Sequence, residues 1–138
     1  MRFPAAIPLL ALAAASALFG ASCSSGTIDK DFQFTPEEKL LLQPLPDTTP
    51  RKVRSLVEQG DELFAQATPA YRRADPESGA DWESRNAMAF DLYTRARASY
   101  VAAQAESGLM VPPPILDRSK ECLTRLVALR KMKRSAPR

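Results

Sequence analysis

Apolar side chains recur at helical spacings in three stretches of the chain. The first stretch begins after Thr49 and Pro50, which we expect to be the cap and the first residue of a helix. Gly60 interrupts this helix at a cost of about 1 kcal/mol relative to alanine, and it would permit close approach of a neighbouring helix. Thr68–Pro69 predicts a kink or a second helix start. The apolar stripe of this helix consists of Val53, Leu56, Val57, Leu63 and Phe64.

The second stretch predicts the longest helix, about 40 Å from Asp81 to Ser107. We expect Asp81 to cap its start, and Gly108 stands just past its end. Small and aromatic residues alternate on one face with a seven-residue repeat, which favours tight packing of two helices with rings filling the gaps between small positions. The repeating residues are Ala89, Tyr93, Ala96, Tyr100 and Ala103.

The third stretch follows the connector Pro112–Pro114 and predicts a helix from near Pro113 to about Lys133. Its apolar face includes Ile115 or Leu116, Cys122 or Leu123, Leu126, Val127 and Leu129. The predicted fold is therefore all-α: a small three-helix bundle, or a repeat-like helical hairpin plus one helix. We place the helical domain at residues 50–134 and a disordered tail at 135–138.

Residues 23–49 are rich in proline, serine and threonine, and they predict a tether. One short helix is expected near residues 36–43, because Thr35 and Glu38 have the spacing of a capping box around Pro36. A helix this short is not stable alone. Its leucines must therefore dock on the core of the domain or in the groove of a partner.

Residues 3–22 carry no charge and follow Arg2, the pattern of a signal peptide covering residues 1–22. Gly20-Ala21-Ser22 directly before Cys23 resembles the lipobox of bacterial lipoproteins, although that family usually has leucine where this chain has Gly20. The resemblance implies that fatty-acyl chains such as palmitate are attached to Cys23, which becomes the new N-terminus. Ser24 implies sorting to the periplasmic face of the outer membrane in a Gram-negative cell. The alternative is ordinary cleavage after Ser22, which would release a soluble secreted protein.

A second resemblance concerns the helical domain. Ala89, Tyr93 and Ala96 are similar to the small–aromatic–small signature in the second helix of tetratricopeptide repeats. Leu56, Gly60 and Leu63 resemble positions of the preceding repeat helix. The two sets lie farther apart than in such a repeat, with 29 positions from Gly60 to Ala89, so an insertion is implied. A generic three-helix bundle accounts for the same residues.

Charge is distributed unevenly along the 138 residues, whose formal net charge is +3. Residues 24–117 hold 10 basic and 15 acidic side chains, a net of −5, whereas residues 118–138 hold 8 basic and 1 acidic, a net of +7. The basic end complements the dipole of the last helix or binds an anionic envelope polymer or lipid headgroup. Its candidate contact residues are Arg130, Lys131, Lys133 and Arg134.

The chain contains no histidine, so it lacks the commonest general base and metal ligand. We expect no enzyme activity, no metal, no cofactor and no nucleic-acid partner. Cys122 is expected to be a buried small hydrophobe, with an intermolecular disulfide as the alternative.

The favoured function is a lipid-anchored helical module that binds another envelope protein in assembly or scaffolding. Tyr71 and Trp82 are the candidate partner contacts. Tyr93 and Tyr100 are expected in the core.

Overall fold

A computed structural model describes residues 32–137. The predicted signal peptide and the predicted lipidation site at Cys23 lie outside the described residues. Residues from Gln33 onward form one compact unit. All regular secondary structure in residues 32–137 is helical, with no strand, so the predicted all-α class is confirmed.

Four α-helices follow one another along this unit. They are α1 (Pro36–Leu41), α2 (Arg51–Tyr71), α3 (Trp82–Ser107) and α4 (Pro113–Arg134), and a short 3-10 turn covers Pro76–Ser78. Helix α3 is central, because α2 and α4 both pack along it and touch each other little. A gap therefore remains between α2 and α4.

The start of α1 is fixed by the capping box that the sequence predicts. The backbone N–H of Thr35 donates to Glu38 Oε1 at 2.9 Å, and the N–H of Glu38 donates to Thr35 Oγ1 at 3.2 Å. Leu41 and Leu42 pack against the core, whereas Leu40 is 65% exposed. The short helix thus docks on its own domain, and residues 33–49 lie within the compact unit.

The starts of α2 and α3 differ from expectation. Pro50 occupies the cap position of α2, which begins at Arg51, so Thr49 is not the cap. Asp81 stands at the cap position of α3 without capping it, because its carboxylate accepts from Arg85 Nε at 2.7 Å instead of from the backbone. A kink or a second helix start was expected at Thr68–Pro69; helix α2 continues through Pro69 to Tyr71, so there is no second start.

The interface between α2 and α3 depends on small residues facing rings. Ala89, Ala96 and Ala103 are fully buried together with Tyr93 and Tyr100, which confirms the predicted seven-residue face. A Cβ atom on Gly60 would lie 2.5 Å from Cε1 of Tyr100. The absence of a side chain at Gly60 is therefore what lets the two helices approach.

Two apolar faces compete on α4, and the structure buries only one of them. Ile115, Cys122 and Leu129 are fully buried. Leu116, Leu123 and Val127 are about half exposed, so the expectation that Val127 belongs to the buried face is wrong. The inward positions between the buried apolar residues are filled by Arg118 and Arg125 instead.

Substituting Gly60 tests the close approach of α2 and α3. Gly60→Ala adds a methyl group against the Tyr100 ring. Overpacking of this kind costs about 1–3 kcal/mol, partly offset by the better helix propensity of alanine. We expect the free energy of unfolding in urea to fall by about 1–2 kcal/mol. The matched control is Gln59→Ala at the exposed neighbouring position, which should be neutral or stabilising; equal stability of both variants would contradict the packing.

Candidate functional site

Two polar layers fill the gap between α2 and α4. Each layer combines a side chain of α2, a tyrosine of α3 and an arginine of α4, and the two layers are seven residues apart on every helix. The first contains Thr68, Tyr93 and Arg125, and the second contains Asp61, Tyr100 and Arg118. This repetition follows from helices that run antiparallel at close distance, where one side-chain register recurs every two turns.

In the first layer, a chain of hydrogen bonds runs across all three helices. Arg125 Nη1 donates to the Tyr93 hydroxyl at 2.9 Å, and that hydroxyl lies 2.9 Å from Thr68 Oγ1. The Thr68 hydroxyl donates in turn to the carbonyl of Phe64 at 2.7 Å. Since arginine only donates and Thr68 already donates to a carbonyl, Tyr93 is the donor to Thr68.

Arg125 also pairs with two carboxylates and contacts three aromatic rings. Its Nη1 lies 2.8 Å from Glu38 Oε2, and its Nε donates to Glu121 Oε1 at 2.9 Å. The guanidinium carbon lies 4.8, 4.9 and 5.6 Å from the ring centres of Phe64, Tyr71 and Tyr93, respectively. Cation–π attraction is strongest where the charge is desolvated, and Arg125 is 9% exposed.

In the second layer, Asp61 is the shared acceptor. The Tyr100 hydroxyl donates to Asp61 Oδ1 at 2.6 Å, and Arg118 donates through Nε at 2.9 Å and through Nη2 at 3.2 Å to the two carboxylate oxygens. Arg118 is 1% exposed. A bidentate pair with a further donor satisfies the buried guanidinium and the partly exposed carboxylate.

Four arginines fasten the N-terminal segment, residues 33–46, onto the helices. Arg72 Nη1 donates to the carbonyl of Gln33 at 2.6 Å, and its Nη2 pairs with Glu38. The remaining contacts join Arg118 to the carbonyl of Gln43, Arg54 to the carbonyl of Pro46 at 3.1 Å, and Arg125 to Glu38. The N-terminal segment thus occupies the gap that α2 and α4 leave.

Burial keeps the hydroxyl and thiol groups near these layers protonated. It raises the pKa of Tyr93 to about 12 and that of Cys122 to about 12, and it also raises the pKa of Tyr100. At neutral pH these groups are therefore neutral hydrogen-bond donors and poor nucleophiles. Cys122 is a free, buried cysteine, as the sequence predicts.

The predicted partner contacts lie at one end of the α2–α3 hairpin. Tyr71 is the last residue of α2 and Trp82 is the first residue of α3, and both are half-buried. The Tyr71 ring meets the Tyr93 ring edge-on, with centroids 5.7 Å apart. Tyr93 and Tyr100 are in the core, as expected.

The predicted anionic-surface contacts occupy the last turns of α4. All four side chains are exposed, and Arg130 stands over the Phe90 ring at 5.3 Å. The other three are Lys131, Lys133 and Arg134, which sit in the final turn where cations complement the helix dipole.

The sequence pattern does not predict the contacts that four charged residues make across helices. It places Glu38 in a capping box and Arg118 and Arg125 in the basic stretch from residue 118 onward, but in the structure these three and Asp61 contact partners across helices. One signal was available: Arg118 and Arg125 are seven residues apart and alternate with Ile115, Cys122 and Leu129, so they share the buried face of α4.

In the part of the chain that the structure describes, no group of three or more histidine, cysteine, aspartate or glutamate residues could hold a metal ion. None of the helices between residues 32 and 137 is long and apolar enough to cross a membrane. No family model, curated protein or solved structure matches the chain.

Neutralising Glu38 tests whether the N-terminal segment is part of the folded core. Glu38→Gln removes the charge that faces Arg125 and Arg72 while keeping the size of the side chain. Glu121 still pairs with Arg125, so we expect a loss of about 2–3 kcal/mol in unfolding free energy at pH 7. The control is Glu37→Gln at the exposed neighbour, which should change stability by less than about 0.5 kcal/mol.

The same pair of variants has a pH signature. Burial alone raises the pKa of Glu38, but the N–H of Thr35 and the Arg125 guanidinium outweigh it, so the pKa lies below its ordinary 4.5. A depressed carboxyl pKa contributes stability above the unfolded value and loses it as the pH falls through the folded value. The difference between the native chain and Glu38→Gln should therefore shrink below pH 4.5; a difference independent of pH would contradict the ion pair.

Proposed function

We propose that this chain is a lipid-anchored helical module that binds another protein at the surface of a cell-envelope membrane. The observation that supports the proposal best is the fastening of the N-terminal segment by Arg72, Arg118 and Arg125. Because of it, residues 33–49 belong to the folded unit, and only the residues between Cys23 and Gln33 separate that unit from the predicted anchor.

The chain between anchor and folded unit limits where the module works. Ten residues take the chain from Cys23 to Gln33. Fully extended, they span about 35 Å, and as a flexible coil about 17 Å. A lipid on Cys23 would therefore keep the module close to the membrane, and its partner must present a surface within that distance.

Tyr71 and Trp82 are the proposed partner contacts. Arg72, which follows Tyr71, holds Gln33, so the chain enters the unit at the end where both aromatic side chains lie. Half-buried aromatic side chains on rigid helix ends have little conformational entropy to lose on binding and suit the centre of an interface. The proposed role is binding; the buried tyrosines Tyr93 and Tyr100 are engaged in hydrogen bonds within the unit and are not among the proposed contacts.

The anchor is tested by intact mass and membrane fractionation of the native protein. We expect a chain that begins at Cys23 with acyl chains attached and that sediments with membranes. Cys23→Ala should abolish acylation and the membrane association that survives a high-salt wash, because no other thiol takes the acyl group at that site. Cys122→Ala is the matched control and should remain acylated. An unmodified soluble protein would contradict the anchor and favour a secreted form.

The partner surface is tested by placing a photo-crosslinking amino acid at position 82 in living cells. The matched control is the same amino acid at Val101, an exposed apolar position on α3. We expect one adduct of defined mass from position 82 and none from position 101. We also expect Trp82→Ala to lower partner recovery at least about tenfold, the effect of losing an interface anchor. A lone monomer without adducts, or equal crosslinking at both positions, would contradict the proposal.

A further inference from the structure

The outward side of α4 carries a row of apolar and basic side chains that no other part of the unit covers. We call this row the outer stripe. On a helical projection of 100° per residue its members fall within about 80° of one another, along about 27 Å of the helix. The outer stripe consists of Leu116, Lys120, Leu123, Val127, Lys131 and Arg134, all exposed.

The apolar members are unusually large for solvent-facing positions. Leu116, Leu123 and Val127 are 46%, 47% and 46% exposed, although α4 already buries Ile115, Cys122 and Leu129 on its other side. A row of this kind suits shallow burial in a broad, soft surface.

The charges of the outer stripe all have one sign. The acids of α4 after its start, Asp117 and Glu121, lie on the flank that faces α1, where they line a groove with Leu41. Arg130 flanks the stripe on its other edge, above Phe90. An apolar row whose only charged members are cations is complementary to anionic headgroups over acyl chains.

The N-terminal segment also passes beside α4. Glu38 pairs with Arg125, and Leu40 and Lys120 line the same groove between α1 and α4. Part of the N-terminal segment therefore lies on the α1-facing flank of α4, beside the outer stripe.

We propose that the outer stripe of α4 binds the surface of an anionic phospholipid bilayer. Leu116, Leu123 and Val127 enter the boundary between headgroups and acyl chains, while Lys120, Lys131 and Arg134 bind the headgroups. The inference deepens the membrane attachment proposed above, but it requires no lipid on Cys23. Failure of the outer stripe and failure of the anchor are therefore distinguishable.

The test uses the chain from residue 23 onward with Cys23→Ala, so that no acyl chain contributes. It is mixed with vesicles of phosphatidylglycerol and phosphatidylethanolamine, or of phosphatidylcholine alone, and bound protein is measured by flotation. We expect binding to the anionic vesicles that weakens with added salt, and at least tenfold weaker binding to phosphatidylcholine. Equal binding to both vesicle types would overturn the proposal.

Two sets of variants assign the binding to the outer stripe. Lys131→Gln with Arg134→Gln should weaken binding about 25-fold, since each basic residue near an anionic surface contributes about fivefold. Arg51→Gln with Arg95→Gln removes the same charge from exposed positions of α2 and α3 and should weaken binding less than about threefold, through net charge alone. Equal losses in the two sets would overturn the proposal.

The variant Leu123→Ser distinguishes a lipid surface from a protein as the binding partner of the outer stripe. It should weaken vesicle binding about tenfold without changing the thermal midpoint by more than a few degrees, because the side chain is half exposed. Val101→Ser is the matched control on α3. Vesicle binding that survives Leu123→Ser would show that the outer stripe is not a lipid surface. The same conclusion would follow if the unsubstituted chain bound no vesicles but formed a concentration-dependent dimer that Leu123→Ser dissociates.

Discussion

Two buried guanidinium groups set the conditions that the rest of the structure must meet. An arginine keeps its charge at any physiological pH, so Arg118 and Arg125 can be buried only if hydrogen bonds and carboxylates surround them. The partners come from every part of the unit: Asp61 from α2, the tyrosines from α3, and Glu38 with the carbonyl of Gln43 from the N-terminal segment. Helices α2 and α4 both pack on α3 and contact each other little. The hydrogen bonds and ion pairs of the two arginines are therefore what connects α2 to α4.

The local features of the fold were readable from sequence because their causes are local. A capping box needs two side chains three residues apart, and the small–aromatic repeat of α3 needs only its own seven-residue period, so Thr35, Glu38 and Ala96 could be placed correctly. The close approach at Gly60 was also foreseen. The burial of Arg118 was not, since its carboxylate lies 57 residues away and its carbonyl partner 75 residues away. Charge at a core position is acceptable only with such partners, and spacing alone does not show them.

The surface was less readable for a different reason. Helix α4 has two apolar rows with the same spacing, one through Ile115 and one through Leu116, and local pattern favours neither. Only the position of α3 decides which row is buried. The candidate site shares this difficulty: Tyr71 and Trp82 were named from sequence, but that both lie at one end of a hairpin, next to the entry of the N-terminal segment, follows from the packing of α2 on α3.

The long-range attachment of the N-terminal segment has a consequence for the order of events during synthesis. A chain is made from its N-terminus, and the carbonyl of Gln43 must wait for Arg118, which is added 75 residues later. All residues of α2 and α3 precede Arg118 in the chain, so the packing of these two helices does not require it, whereas the contact between Gln43 and α4 does. The last helix to be made therefore completes the contacts of the fold, and a chain cut short before Arg118 would leave Asp61 with Tyr100 as its remaining donor and the N-terminal segment with its contacts to Arg54 and Arg72.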